Sequence, residues 1–190
     1  MQHDRTRVVV EIGLSVALAA VLSTFKITLP WNFAGGSVSL AMLPIFVIGL
    51  RRGLTVGVVA GAAFGVVDYF LEPYFVHPIQ VLLDYPVAFA ACGLAALASP
   101  RWVRATSPAR IAAMAFAGAL LGGAGRFAAS FASGIVFFGA NAPEGQPVWL
   151  YSLAYNASYL VPSIVACGIV AAIVVPALER AVPVPGLAAP

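Results

Sequence analysis

Three ionisable side chains lie inside long apolar runs of this sequence and are the first candidates for chemistry. Asp68 and Asp84 lie near the ends of two such runs, and Arg126 lies more than halfway along a third. A charge inside an apolar helix is costly unless it meets a partner or faces a polar cavity. The three residues therefore indicate either an internal ion pair that holds helices together or a site that keeps a carboxylate for a cationic ligand.

Aromatic and amide side chains mark the start of the last apolar run. Tyr151, Tyr155 and Tyr159 recur every four residues, which places them in one stripe of a helix. Tyrosine and tryptophan also collect at membrane interfaces as anchors. That explanation does not cover Asn156, because an amide within an apolar helix needs a hydrogen-bond partner.

The sequence lacks the patterns that enzymes and metal proteins usually show. Two histidines, His3 and His77, cannot build a usual zinc site, and there is no glycine-rich phosphate loop and no nucleophile beside a base. Cys92 and Cys167 both lie in apolar runs, where we interpret them as small packing residues. We therefore expect no catalytic residue, no metal and no cofactor.

The composition indicates that the chain lies in a lipid bilayer and not in water. Of its 190 residues, 62% are hydrophobic and 9% are charged, and the mean hydropathy is +0.98. A soluble domain carries roughly 25% charged residues, so this chain has too few charges to cover a water-facing surface. The basic residues lie in short loops, so the net charge of +3 indicates membrane topology and not a nucleic-acid partner.

Six apolar segments are the candidates for helices in a lipid bilayer. The expected helices cover residues 8–29, 38–50, 54–71, 79–98, 111–138 and 148–178. A span needs about 20 residues, so we expect the short second helix to be tilted or shielded by its neighbours. The sequence predicts an all-α polytopic membrane protein, with one bundle of six transmembrane helices over residues 1–180. Residues 181–190 are predicted to be a disordered, proline-rich tail.

The arginines predict the orientation in the membrane, because basic residues accumulate in cytoplasmic loops. With the N-terminus in the cytoplasm, Lys26 is the single basic residue near a helix end that falls outside. The arginines that fall inside are Arg5, Arg7, Arg51, Arg52, Arg101, Arg104, Arg110 and Arg180. Both termini are therefore predicted to be cytoplasmic, and the first run is expected to be a span and not a cleaved signal peptide.

Small residues recur along the first apolar run. Gly13 and Ala17 are four residues apart, as are Ser15, Ala19 and Ser23. Small side chains at this spacing let two helices approach closely. The spacing alone fits both packing inside the bundle and contact with a partner protein.

Several longer stretches match the pattern of a known family. The longest is PVWLYSLAYNASY at residues 147–159, which is unusual enough to be specific. The others are residues 35–39 leading to Pro44, 51–54, 77–85, 133–138 and 142–145. Over nearly its whole length, the chain resembles the ThiT family, the thiamine-specific S-components of energy-coupling factor (ECF) importers.

The resemblance implies a function and a set of partners. Such a subunit lies in the plasma membrane of a prokaryote and captures thiamine from the outside for ATP-driven uptake. It works with a transmembrane coupling subunit and two cytoplasmic ATPase subunits. The family's docking residues on the first helix fall on Gly13 and Ala17. The alternatives are an S-component for a thiamine precursor or another vitamin, or a membrane-embedded enzyme, against which the lack of histidine in the spans argues.

The resemblance also assigns the residues of an outward-facing pocket. The family's carboxylate falls on Asp84, which Tyr85 follows in the same matching stretch. The pocket tyrosine and asparagine of the last helix fall on Tyr151 and Asn156, and a loop tyrosine falls on Tyr74. A carboxylate and aromatic faces suit the thiazolium cation, and hydrogen-bonding side chains suit the aminopyrimidine.

Four further pocket positions differ from family members. Ser130 stands where family members have histidine, Phe138 where some have tryptophan, and Ser39 where some have glutamate. Some members also have tryptophan near the position of Gly35. Phe138 can still stack on a ligand ring, whereas Ser130 cannot replace an imidazole. The predicted substrate-binding set is Asp84, Tyr85, Tyr74, Phe138, Ser130, Tyr151, Asn156 and Ser39.

Overall fold

Six helices make up most of the computed structural model, which describes residues 2–30, 36–100 and 107–182, with side chains from residue 5 onward. They are α1 Gln2–Thr24, α2 Leu43–Arg52, α3 Leu54–Leu71, α4 Pro78–Ala98, α5 Pro108–Phe137 and α6 Val148–Ala181. Within these ranges, all of the helices except α2 are long and apolar enough to cross a membrane. The predicted all-α membrane bundle is confirmed.

A short hairpin takes the place of the end of the first predicted helix. α1 ends at Thr24 and not near residue 29, and β1, Lys26–Thr28, pairs antiparallel with β2, Ser37–Ser39. The hydroxyls of Ser23 and Thr24 donate to carbonyls three residues earlier, a local bond that competes with continuation of a helix. The β-branched residues that follow favour strands.

α2 begins later than predicted and is buried. The prediction that this helix starts at residue 38 is wrong, because a turn follows β2 in which the Leu43 amide donates to the Leu40 carbonyl at 3.0 Å. Pro44 fits the first turn of α2, where a missing amide hydrogen costs nothing. With 10 residues, α2 spans about 15 Å, and most of its apolar side chains are buried by neighbouring helices.

α4 is an irregular helix. Its first turn, Pro78–Leu82, leads into a π turn at Leu83–Val87, a short α segment at Ala88–Ala91 and a 3₁₀ segment at Cys92–Ala98. Pro86 lies within the π turn. Proline lacks an amide hydrogen, and its ring clashes with the carbonyl four residues earlier, so it disturbs regular helical geometry. Such π turns are common at functional sites.

A glycine stripe brings α3 into backbone contact with α4. Gly57, Gly61 and Gly65 are four residues apart on α3. A Cβ atom added at Gly61 would overlap the Phe89 carbonyl, and one added at Gly65 would overlap the Tyr85 carbonyl. Small residues at this spacing permit the closest helix packing in a membrane. The stripe therefore sets the position of the π turn of α4 against α3.

Ion pairs join α2 to α1 and α6, near the predicted inner side of the membrane. Arg52 donates to both carboxylate oxygens of Glu11 on α1, each at 2.6 Å. Arg51 donates to Glu179 on α6 at 3.0 Å. Adjacent arginines at the end of α2 thus hold α1 and α6 together.

The last helix continues beyond its predicted end at residue 178. α6 continues to Ala181, one residue into the predicted tail. The rest of that predicted tail, residues 183–190, lies outside the described residues. So do Arg101 and Arg104 of the predicted inner loop.

Candidate ligand-binding cavity

A cavity of about 330 Å³ lies at the end of the bundle where α3 ends and α6 begins. The hairpin, the last turn of α3, the first half of α4, the end of α5 and the start of α6 surround it. Its size falls in the range of small-molecule sites, roughly 300–1,000 Å³. The eight predicted substrate-binding residues all line this cavity: Ser39, Tyr74, Asp84, Tyr85, Ser130, Phe138, Tyr151 and Asn156. Their contact with a ligand stays a prediction.

Asp84 is held in place by a buried glutamine one turn earlier on α4. The Gln80 side-chain amide donates to Asp84 Oδ2 at 2.7 Å. Gln80 Oε1 in turn accepts from the Val76 amide at 3.0 Å, and the Gln80 side chain is only 1% exposed. Gln80 therefore ties the α3–α4 loop to the carboxylate and leaves Asp84 facing the cavity in a fixed orientation.

Tyr85 closes the same loop from the other side. Its hydroxyl donates to the Glu72 carbonyl at 2.7 Å and accepts from the Tyr74 amide at 3.0 Å. The ring of Tyr69 packs edge-on against that of Tyr85, with centroids 5.2 Å apart. These contacts fix the backbone on both sides of residue 73 at the cavity mouth.

Two aromatic rings approach each other from different elements at the mouth. Tyr74 in the α3–α4 loop and Phe138 at the end of α5 have ring centroids 5.9 Å apart, with planes tilted by 30°. The rings leave an aromatic surface on the cavity wall. Aromatic faces attract cations, so this wall is suited to a positively charged ring.

The tyrosine stripe predicted for the last helix is present on the cavity wall. Tyr151, Tyr155 and Tyr159 all line the cavity, and their successive centroids are 5.8 and 6.1 Å apart. Asn156 also lines the cavity and finds partners within the protein. Its amide nitrogen donates to the Ser152 carbonyl at 2.9 Å, and its Oδ1 accepts from the Tyr159 hydroxyl at 2.8 Å. The amide thus orients Tyr159.

Arg126 also lines the cavity. It does not form the internal ion pair that is one of the two interpretations of the charged residues in the spans. Its guanidinium carbon lies 3.9 Å from the centroid of the Phe89 ring. Among the described residues, neither Asp68 nor Asp84 pairs with it. Its Nε atom is buried without a hydrogen-bond partner.

A comparison with protein families decides the class of this protein. A family model described as thiamine transporter protein (Thia_YuaJ) matches residues 9–182. The chain belongs to this family of thiamine transporters. The resemblance drawn from the sequence is therefore confirmed, as is the prediction that the protein is not an enzyme.

Similar proteins agree with the family match. The chain is 42% identical over 172 residues to thiamine transporter ThiT of Bacillus subtilis strain 168, covering 85% of this chain and 86% of that protein. It is 32% identical over 162 residues to thiamine transporter ThiT of Lacticaseibacillus paracasei, covering 82% and 80%. A solved structure of ThiT from Listeria monocytogenes superimposes with a TM-score of 0.82 at 27% identity, covering 93% of this chain and 97% of that one.

The predicted docking residues lie away from the cavity. Gly13 and Ala17 are exposed on α1, and nothing in the described structure lies within 4 Å of a Cβ atom added at Gly13. Ala19, on the other face of the same helix, is fully buried. The two sets of small residues on α1 thus face in different directions, one toward the bundle and one away from it.

Sequence reasoning missed several residues that line the cavity, among them Gln80, Phe89 and Glu72. Gln80 lies one helical turn before Asp84, and that spacing is the one signal that could have indicated their contact. Phe89 and Glu72 gave no such signal, since an aromatic residue in a span and a charged residue in a loop are both common. Their role depends on how α3, α4 and α5 meet.

Proposed function

We propose that this member of the thiamine transporter family is the S-component of an ECF-type importer, which captures thiamine from the outside in the cavity. The observation that carries this proposal is that eight residues from five separate segments of the chain line one cavity. They include a carboxylate, tyrosines, a phenylalanine and an amide. This is the chemistry that a cationic ring joined to an aminopyrimidine requires.

The two rings of thiamine match two kinds of wall. Asp84, oriented by Gln80, offers a directed acceptor for the amino group of the pyrimidine. Tyr74 and Phe138 offer aromatic faces to a flat ring. The cavity volume of about 330 Å³ suits a ligand of this size.

The orientation follows from the positions of the charges along the bundle. Arg51, Arg52, Arg110 and Arg180 lie at helix ends opposite the cavity. The positive-inside rule places that end in the cytoplasm. The cavity then opens to the outside of a prokaryotic plasma membrane, and both termini lie inside.

Energy for uptake is proposed to come from partner subunits. The sequence has no glycine-rich phosphate loop. α1 presents an exposed face that includes Gly13 and Ala17, together with Leu14 at 65% and Leu18 at 52% exposure. Small residues flanked by exposed leucines suit close approach of another membrane helix. We propose that a transmembrane coupling subunit docks there and links the chain to two cytoplasmic ATPase subunits.

Calorimetry on the purified protein in detergent or nanodiscs tests the ligand. We expect saturable binding of thiamine, and weaker binding of its hydroxymethylpyrimidine and thiazole fragments, since each fragment fills half of the site. Riboflavin serves as an unrelated vitamin of larger size. A chain that prefers the pyrimidine fragment to thiamine would instead be a precursor transporter, and a chain that binds none of these ligands would contradict the proposal.

A further inference from the structure

The described cavity wall carries five charged side chains, and most of them are engaged within the protein. Lys26 on β1 forms an ion pair with Glu72 at the end of α3. Asp84 accepts a hydrogen bond from Gln80. These contacts partly satisfy two of the three carboxylates before any ligand arrives.

Asp68 differs from the other two carboxylates. It lies in the last turn of α3 and lines the cavity. Among the described residues, its carboxylate has neither a hydrogen bond nor an ion pair within 4 Å. The positive charges of Arg126 and Lys26 act on it without forming an ion pair. Arg126 lies over the Phe89 ring, and Lys26 pairs with Glu72. A carboxylate in a membrane span is costly unless it meets a partner or faces a polar cavity, and Asp68 faces this cavity.

From this geometry we propose that Asp68 is the counter-ion of the cationic ring of the ligand, and that Asp84 is a hydrogen-bond acceptor for its other ring. This inference rests on the proposed function. It adds to the site a residue that the resemblance does not assign. It also gives the two buried carboxylates different tasks.

The difference follows from the chemistry of the two rings. A quaternary ring nitrogen has no hydrogen to donate, so its attraction to a carboxylate is Coulombic and depends on distance and not on lone-pair direction. An amino group donates along defined directions, so it needs an acceptor of fixed orientation. Asp84, held by Gln80, meets the second requirement. Asp68, without such a bond, is free to meet the first.

The charge balance of the wall supports a ligand with one positive charge. With all of these groups in their charged forms, Lys26 and Arg126 oppose Asp68, Glu72 and Asp84, which leaves one formal negative charge in excess on the described wall. A monocation therefore neutralises the wall. A neutral ligand would leave one carboxylate of the wall uncompensated.

The position of Asp68 is fixed by the backbone around it. Its carbonyl accepts from the Glu72 amide at 2.9 Å, and the Glu72 carbonyl accepts from the Tyr85 hydroxyl at 2.7 Å. Gly65, one turn earlier, packs directly on α4. These contacts hold the end of α3 in place, and Asp68 with it. A fixed position lets a charge discriminate between a cationic and a neutral ligand.

The test compares thiamine with a neutral probe, the thiophene analogue in which an uncharged ring replaces the thiazolium. We expect Asp68→Asn to weaken thiamine binding about tenfold or more, and to change the affinity for the neutral analogue less than about threefold. Asp68→Glu, which keeps the charge, should retain a preference for thiamine. Should the asparagine variant fail to fold, Asp68→Ser makes the same comparison.

Controls separate this inference from the proposed function. Glu144→Gln makes the same chemical change at an exposed residue outside the cavity and should bind both ligands as the wild type does. Equal losses for both ligands in Asp68→Asn would show a structural role, such as balance of Arg126, and overturn the inference. Unchanged thiamine affinity would overturn it as well, while the proposed function stood. A wild-type chain that does not bind thiamine would refute both.

Discussion

At the scale of single residues, Asp84 is a cavity carboxylate that a neutral side chain holds in place. One of its oxygens accepts from Gln80 at 2.7 Å, and the side chain lines the cavity. The glutamine itself is anchored by the loop amide of Val76. A carboxylate prepared in this way loses little conformational freedom when a ligand binds, which raises affinity.

Replacing this carboxylate should weaken thiamine binding. Loss of one partner from a buried, charged hydrogen bond costs about 2–5 kcal/mol, so Asp84→Asn should lower affinity by roughly 30-fold or more. Isothermal calorimetry on the folded variant measures the effect. Glu144→Gln is the matched control, and unchanged affinity in Asp84→Asn would return Asp84 to a structural role.

The sequence pointed to much of the candidate site, residue by residue, for two separate reasons. Asp84 and Asn156 attract attention because a polar group in an apolar run needs a partner. Tyr74 and Phe138 came from the resemblance alone, since an aromatic residue in a loop or at a helix end has many ordinary explanations. Gln80 was missed because its contacts depend on the return of the α3–α4 loop, which no local pattern describes.

At the scale of elements, the long apolar runs of the sequence predicted the membrane-spanning helices well. α3 begins and ends at the predicted residues, and α4, α5 and α6 lie within three residues of theirs. The hairpin was missed because three-residue strands such as Lys26–Thr28 are too short to show alternation. The π turn of α4 follows from Pro86, a signal that the sequence contains but apolar periodicity does not detect.

The glycine stripe predicts a sharp effect on stability. Gly61→Ala places a methyl group where the Phe89 carbonyl already lies, and overpacking of this kind costs about 1–3 kcal/mol. We expect a lower thermal unfolding temperature in detergent and weaker thiamine binding, because α4 must move. Gly13→Ala is the control, since space around that position is open. Equal stability of the two variants would show that α3 and α4 are not packed so closely.

The exposed face of α1 predicts a separation of uptake from binding. Gly13→Trp combined with Ala17→Trp should abolish thiamine uptake in cells and leave binding to the purified protein unchanged, because bulky side chains prevent close helix approach. Ile173→Trp, at an exposed position of α6, is a control for bulk facing the lipid. Uptake at the wild-type rate in the double variant would place the docking surface elsewhere.

At the scale of the whole molecule, the bundle has two chemically different ends. One carries the cavity with its tyrosines and acids, and the other carries arginines that pair with Glu11 and Glu179. Charge distribution predicted this polarity from the sequence, since it requires only the order of loops along the chain. The depth and width of the cavity could not be predicted, because they depend on how closely the helices pack.

Cysteine labelling tests the orientation of the two ends. Ser107→Cys and Glu144→Cys introduce thiols before α5 and before α6, and both residues are exposed. Glu144 is preferable to its neighbour Gly145, whose φ of 80° disfavours a side chain. The native Cys92 and Cys167 are buried and should not react. A membrane-impermeant reagent should label residue 144 alone in intact cells, and labelling of both sites would contradict the six-helix topology.

The backbone contact between α3 and α4 also constrains how this cavity can change during evolution. Where two helices meet through glycines, their separation cannot be adjusted by exchanging side chains of different size. Adaptation to a modified ligand must then come from the opposite wall, formed by α5 and α6. Ser130 and Phe138 lie on that wall, whereas Asp84 and Tyr85 lie on the fixed one. The α3–α4 wall of the cavity is thus fixed by backbone packing. We expect sequence variation among relatives to concentrate on the α5–α6 wall.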